Sequence, residues 1–459
     1  MSSQQIQALE SKKIPKLLFS YALPAVVGTV LNSIYNIVDR IFIGQGVSEY
    51  ALSGLAITFP ILIFLQAFGM LVGAGASVRV SIQLGQKNIP GAEHTLANAV
   101  FLTLFTQFIT IVPCFLFMEP LLRLFGASDR TLPYAIEYLQ IVIPANIFST
   151  LSFGYNSVMR ASGYPRKAMT TMIIGALTNV VLDYVFIYPL DMGIRGAAIA
   201  TAISMMVCSS YVLAHFFRRD SVVRFRRSAF KLSLPAIGGI TAIGVAPFAM
   251  QLTGSLVNVI MNRSFVAYGD TPETTDLAIG AFGIINSYAM LFFMIIMGVA
   301  QGMQPIVGFN YGAQDMERVK TTYRYSCTVN LLVSIVGFTL AMLMPRAIVG
   351  MFTSSKPMVD LCAPALRITL AGFSLLGFQI TTTQFFQSIG LSRKAIFLSL
   401  TRQILFLIPC LLTIPRFLGL NGVWWSLPIS DMASVILAFF MITIHMKRIG
   451  YAEKPAAAE

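Results

Sequence analysis

The sequence predicts an all-α polytopic membrane protein, with twelve transmembrane helices in two six-helix lobes related by a pseudo-twofold axis. Three observations carry that prediction. First, the 459 residues are 56% hydrophobic and only 11% charged, with a mean hydropathy of +0.75; a soluble chain would carry about a quarter charged residues. Second, the apolar residues come in long blocks, which a bilayer accepts only as helices or as a closed barrel. The blocks are too long and too evenly apolar for the short alternating strands of a barrel. Third, the blocks repeat across the middle of the chain.

The repeat is visible residue by residue. VGAGASVRVSIQLGQKN (72–88) resembles GVAQGMQPIVGFNYGAQD (298–315), with Gly85 and Gly312 lying 227 apart. RASGYPRKA (160–168) resembles QSIGLSRKA (387–395), with Gly163 and Gly390 again 227 apart. YPLDMGIRG, ending at Gly196, resembles IPRFLGLNG, ending at Gly422, and the stretch from Pro24 resembles that from Pro247. An even number of spans per half gives both halves the same topology, with the axis along the membrane normal.

In chain order, a polar tail (1–15) precedes expected spans at 16–43, 51–82, 94–117, 135–159, 169–189 and 196–217, the N-lobe (16–217). A basic linker (218–237), RRDSVVRFRRSAFK at its heart, is expected to touch anionic headgroups. The C-lobe (238–446) holds spans at 238–266, 277–308, 321–344, 361–388, 396–415 and 422–445, and a tail (447–459) follows. The net charge of +13 does not point to nucleic acid, because the basic residues gather on one side of the membrane. Lys12, Lys13, Lys16, Arg160, Arg166, Lys167, the linker arginines, Arg318, Arg393, Lys394, Lys447 and Lys454 fall there. The acidic loop with Asp270, Glu273 and Asp276 falls on the other. The positive-inside rule then places both termini in the cytoplasm. The polar start contains no signal-peptide pattern, so the first span itself is expected to direct insertion. Five scattered cysteines show no CxxC spacing, so neither a disulfide framework nor a metal site is indicated.

Charged groups deep in apolar spans are costly, and mark function by default. Asn179 and Asp183, four apart, share one helical face; Thr201 lies in the next span and Asp39 near the end of the first. At 1.5 Å per residue, Asp39 is about 7 Å and Asp183 about 9 Å from the outer ends of their helices. Thr201 is at a similar depth and Asn179 a turn deeper. Asp39 and Arg40, being adjacent, do not face one another. The repeat keeps Arg40 as Arg263 but changes Asp39 to Asn262, and sets Asp183 near Pro409 or Cys410, so the ionic chemistry belongs to the N-lobe alone. Carboxylates with amide and hydroxyl oxygens suit Na⁺, and desolvated, mutually repelling carboxyls equally suit H⁺; the residues fit either. Asp431 in the last span is expected to form a structural ion pair with Arg402 or Arg367. The absence of GxxxxGK[ST] and HExxH motifs argues against ATP-driven pumping and a zinc enzyme, and no catalytic residues or cofactor are expected.

These residues resemble the multidrug and toxic compound extrusion (MATE) family of secondary transporters. The resemblance spans about 16–447 and rests on the early LP of the first span, DRIFIG at its end, GAGASVRVSIQLGQKN, RASGYPRKA and the six-plus-six repeat. It implies export of organic cations and hydrophobic drugs across the bacterial cytoplasmic membrane in exchange for H⁺ or Na⁺. No obligate protein partner is indicated. Asp39, Asn179, Asp183 and Thr201 match the N-lobe cation site of the DNA-damage-inducible branch, with Asp39 and Asp183 as metal ligands if Na⁺ is the ion. Spans seven and ten lack the carboxylates that another branch places in the C-lobe. The resemblance also implies a hinge at Pro24 and substrate contacts at Asn32, Tyr35, Asn156, Met172 and Met205. Lipid and lipid-linked oligosaccharide flippases share this architecture and form the alternative. A flippase would need a strongly cationic central cavity, for which Arg40, Arg79, Arg263, Arg324, Arg367 and Arg402 are the available residues.

Overall fold

The computed structural model describes residues 2–269 and 271–452, so Asp270 and Lys454 lie outside the described residues. All regular structure among the described residues is helical. The N-lobe comprises α1 (Ile14–Gly46), α2 (Glu49–Gly85), α3 (Ile89–Leu116), α4 (Leu132–Ala161), α5 (Pro165–Ile187) and α6 (Gly193–Phe217). The C-lobe repeats this with α7 (Leu234–Tyr268), α8 (Pro272–Gly312) and α9 (Met316–Leu343). Then come α10, in two pieces (Lys356–Thr369 and Leu376–Ser388), α11 (Ser392–Leu400, continuing through Thr401–Leu407 and Ile408–Thr413) and α12 (Leu420–Ala452). Side-chain caps fix several starts: Ser48, Asn88, Ser233, Thr271 and Asp315 each accept a hydrogen bond from a first-turn backbone N–H, satisfying donors that the helix itself leaves open.

Ten of these helices are long and apolar enough to cross a membrane, and α10 makes an eleventh if its two pieces are one bent span. The twelfth, α4, carries Glu137, Asn146, Asn156 and Arg160, which lower its hydropathy. Three of them turn inward; Asn146, for example, donates to Gln107 Oε1 of α3 at 3.0 Å. The helices run past the expected span limits by up to seven residues at an end, the largest overrun being α12, which reaches Ala452. The 37 residues of α2 reach about 55 Å at 1.5 Å per residue, well beyond the roughly 30 Å of hydrocarbon.

Two expected continuous spans are not continuous. The span at 361–388 bends by 45° between its pieces. At the bend Gly372 packs against Pro428 and Asp431 of α12, so the chain turns where a neighbouring backbone presses on it. The span at 396–415 contains a π-helical stretch, Thr401–Leu407. The bend leaves no proline signature where it occurs, whereas the π-helical stretch opens on Thr401, Arg402 and Gln403 and is followed by Pro409.

The repeat is structural as well as sequential. Gly163 and Gly390 both take positive φ, +98° and +78°, as do Lys87 and Gln314, at +58° and +62°. In the turns holding the latter pair, Asn88 N–H donates to Gln83 carbonyl at 2.8 Å and Asp315 N–H to Asn310 carbonyl at 2.9 Å. The lobes join by mated contacts. Gly75 of α2 lies against the Ile240 carbonyl of α7, and Gly302 of α8 against Ala22 of α1. Nearer the basic end, Gly85 abuts the Phe309 carbonyl while its repeat partner Gly312 abuts the Ile82 carbonyl. A Cβ at either glycine would overlap backbone, so the α2–α8 crossing needs both.

The basic linker is packed rather than free. Val222, Val223 and Ala229 are buried, Phe225 rests on Tyr155 and Phe216, and Arg226 pairs with buried Glu93 of α3 at 3.0 Å. Asn98 donates to Lys231 carbonyl at 3.1 Å and accepts from Ser233 N–H at 2.9 Å. The linker is thus strapped to the N-lobe by specific contacts, where the sequence suggested headgroup contact. The expected N-terminal tail is mostly a helix, Ser2–Ser11, held to α9 by Arg318, which donates to the carbonyls of Leu9 and Lys12, both at 2.9 Å.

Candidate functional site

Helix spacing and depth together assemble a polar cluster inside the N-lobe. Four residues on α5 place Asn179 and Asp183 on one face, 1% and 0% exposed, and α1 presents Asp39, 8% exposed. The carboxyl groups of Asp39 and Asp183 meet. Asn179 Nδ2 donates to Thr201 Oγ1 of α6 at 3.4 Å. Oδ1 of Asp39, both carboxyl oxygens of Asp183 and Oδ1 of Asn179 are buried and accept from no protein donor. Arg40 does not supply one, because its guanidinium lies over the Phe59 ring, 4.4 Å from the centroid, away from Asp39 as adjacency on a helix requires.

Two touching carboxylates without donors are unstable as a pair of anions, since each loses hydration and repels the other. The arrangement becomes favourable when something positive sits between them. Four buried oxygens from two helices, with the Thr201 hydroxyl alongside, form a hard donor set that fits Na⁺, and the same carboxyls fit a shared proton. Among the described residues no group of three or more His, Cys, Asp or Glu converges, so the cluster's second pair of oxygens comes from an amide and a hydroxyl.

The remaining sequence-derived residues are dispersed. Tyr35 lies near Tyr138, while Asn32 is exposed. The Met172 thioether covers Gly28 of α1, and Met205 packs with the apolar cluster around Ile43 and Ile187. Asn156 donates to Ala168 carbonyl at 2.7 Å, tying α4 to α5. Pro24 is buried within α1, which stays helical through it. None of these six side chains borders the cavity between the lobes.

That cavity has a volume of about 120 Å³ and is partly open to solvent. From the N-lobe it receives Met70, Phe153 and Arg160; from the C-lobe it receives Met250, Phe293, Met297 and a series of glutamines. Arg402 also borders it and is paired with Asp431, Nε to Oδ1 at 2.7 Å, the expected structural link. The other arginines considered for a cationic cavity are elsewhere: Arg79 donates to the carbonyls of Pro235 and Ala236 at 3.3 and 3.2 Å, and Arg367 to that of Met342 at 3.0 Å.

A family model described as MatE matches residues 24–185 and 246–412, one segment in each lobe. The chain belongs to the MATE family. Curated relatives include "Multidrug export protein MepA" of Staphylococcus haemolyticus, 27% identical over 442 residues and 96% of both chains. Another is the protein of the same name from Staphylococcus aureus strain NCTC 8325, 26% identical over 449 residues and 98% of both chains. Among solved structures, a MATE transporter described as being in the bent conformation has a TM-score of 0.91 at 24% identity, covering 98% of each chain. An outward-facing MATE family transporter has a TM-score of 0.89 at 24% identity, covering 97% of this chain and 98% of its own. The multi-pass, two-lobed architecture read from the sequence is therefore the MATE fold.

Two residues of this MATE protein escaped the sequence reading. Tyr138 of α4, 4% exposed, sets its hydroxyl beside that of Thr201 and close to both carboxyls. The depth argument used for Asp39 and Asp183 would have found it, had it been extended to uncharged polar residues of the fourth span. Arg160 was assigned to a cytoplasmic connection because RASGYPRKA reads as a turn. In the structure α4 runs to Ala161, and Arg160 is only 7% exposed.

Proposed function

We propose that this MATE protein is a secondary active multidrug exporter of the bacterial cytoplasmic membrane. It exchanges organic cations and hydrophobic drugs for inward-moving H⁺ or Na⁺ by rocking of the two lobes, with both termini in the cytoplasm. The observation that carries this reading is the pair of touching, buried carboxyls, Asp39 and Asp183, three of whose oxygens have no protein donor. The names of the relatives point the same way.

Asp39 and Asp183 take the ion, and Asn179 and Thr201 complete its oxygen surroundings. Exchange requires that ion and drug stabilise different states of the protein or compete for one. Neutralising the carboxyl pair removes a repulsion between α1 and α5 where they meet. α1 also contacts α8 at Gly298 and Gly302, so tighter α1–α5 packing reaches the lobe interface. Pro24 supplies the place where α1 can bend, since its ring removes one helical hydrogen bond. Asn32, Tyr35, Asn156, Met172 and Met205 are proposed as substrate contacts in the state where α1 has moved.

The test uses purified protein in liposomes loaded with a fluorescent organic cation, with a Na⁺ gradient and a pH gradient imposed separately. Dye flux driven by one gradient, and lost in Asp183→Asn, is the expected result. Flux indifferent to both gradients across several dyes would overturn the reading. Lipid translocation, the alternative, calls for a strongly cationic cavity. Arg402 is neutralised by Asp431, which leaves a single unbalanced arginine there and favours drug export.

A further inference from the structure

The cavity between the lobes has an electrostatic character opposite to that of the carboxyl cluster. Arg160 borders it, and among the described residues its one protein hydrogen bond goes to Gln301 Oε1, at 2.8 Å. A guanidinium has five N–H donors and no acceptor, so most of its hydrogen-bonding capacity is not used by the protein. No Asp or Glu lines the cavity among the described residues, and the nearby Asp431 is already committed to Arg402. A buried arginine without a carboxylate is costly. Its retention at this buried position calls for a counter-charge from outside the chain.

Two further observations point into the same space. Gln304, 7% exposed, borders the cavity with its amide Nε2 buried and lacking an acceptor, a second donor without a protein partner. Arg402 and Gln403 reach the cavity from the π-helical stretch Thr401–Leu407, and such stretches often mark functional sites because the irregular backbone re-aims side chains. The rest of the lining includes Met70, Met250, Met297, Phe153 and Phe293, soft and aromatic surfaces that accommodate planar apolar bodies.

We propose that this cavity is a binding subsite for an aromatic organic anion, with Arg160 holding a carboxylate and Gln304 donating to it, while the Met and Phe walls hold the ring system. The bidentate fork of an arginine matches a carboxylate in both charge and geometry. The proposal deepens the export reading, on which its physiological meaning rests, by adding anionic or zwitterionic substrates to the cationic ones. The ion-coupling carboxyls and this arginine would then receive opposite charges in separate parts of one molecule.

The experiment is equilibrium dialysis of purified full-length protein in detergent against three probes with one ring system: 2-naphthoate, 2-naphthylmethanol and 2-naphthylmethylammonium. Micelle-only controls remove partitioning. The expected order is the carboxylate about tenfold tighter than the alcohol, the size of one charge-assisted hydrogen-bonded pair, with the ammonium weakest. Arg160→Gln removes the preference for the carboxylate, Arg160→Lys retains part of it, and Gln304→Leu weakens naphthoate several-fold without changing the order. If Arg160→Gln fails to fold, the wild-type order and Gln304→Leu still decide. Equal binding of the three probes, preference for the ammonium, or an unchanged carboxylate preference in folded Arg160→Gln would overturn the proposal. Because the readout is equilibrium binding, its failure would leave gradient-driven dye flux intact, and loss of that flux would leave this result standing.

Discussion

The two lobes share a chain path but use it differently. In the N-lobe, α5 is a regular α-helix from Pro165 to Ile187 and carries Asn179 and Asp183 on one buried face. Its mate α11 passes through a π-helical stretch, and the position matching Asp183 falls near Pro409 or Cys410. The residue matching Asp39 is Asn262, which is exposed. α4 is likewise unbroken whereas its mate α10 bends by 45°. The lobe that keeps regular helices keeps the carboxyls, and the lobe with irregular helices contributes most of the cavity wall. Duplication thus supplied one scaffold twice. Buried charge then concentrated where straight helices hold depth and facing fixed, and adaptable polar surface where they do not.

That division can be broken or sharpened by substitution, the largest effect first. Asp183→Asn should reduce ion-driven dye transport by at least about a hundredfold, the loss expected when an essential proton or ion carrier is removed. Cys410→Ser at the mated position should leave transport within about twofold. Matched flux assays at equal protein incorporation compare the two; equal losses would erase the asymmetry. Arg402→Ala should destabilise the C-lobe by roughly 3 kcal/mol, because it strands a buried carboxylate, and Arg402→Met with Asp431→Leu should recover most of it. Thermal unfolding in detergent checks both.

The lobe interface, in contrast, should behave symmetrically. Gly85→Ala and Gly312→Ala each drive a methyl into backbone, and each should cost about 1–3 kcal/mol by overpacking. Thermal unfolding in detergent compares the two; a large difference between them would show that the crossing is not a mated one. Glu93→Gln should have the smallest effect, about 1 kcal/mol, by loosening the Arg226 contact. Faster trypsin cleavage within the linker, with transport retained, is the expected readout.

Much of this was legible in the sequence for identifiable reasons. Span number and the repeat follow from hydrophobic blocks and from glycines that recur because turns and close crossings demand them, as at Gly163, Gly390, Gly85 and Gly312. The carboxyl cluster follows from the rarity of Asp in apolar helices and from counting residues to a common depth. Asp431 stood out by the same rarity, with Arg402 or Arg367 as its expected partner, and the structure pairs it with Arg402. What stayed hidden depends on long-range packing. Arg160 carries a turn-like local sequence, and only the extension of α4 buries it. The α10 bend answers to pressure from α12 at Gly372. The linker reads as a solvated basic run until Glu93 and Asn98 are brought beneath it, and Tyr138 is a common aromatic until three other helices converge on its hydroxyl.

The central claim is that a cation is held by Asp39 and Asp183 and displaced when drug binds or the lobes move. The most direct measurement adds a fluorescent organic cation to purified protein in detergent and follows cation release. A pH indicator in weakly buffered, Na⁺-free medium reports protons, and ²³Na NMR reports Na⁺. The account predicts release of one of these ions from the wild-type protein and none from folded Asp39→Asn or Asp183→Asn. Undiminished release from both variants would contradict it and place the coupling ion elsewhere in the molecule.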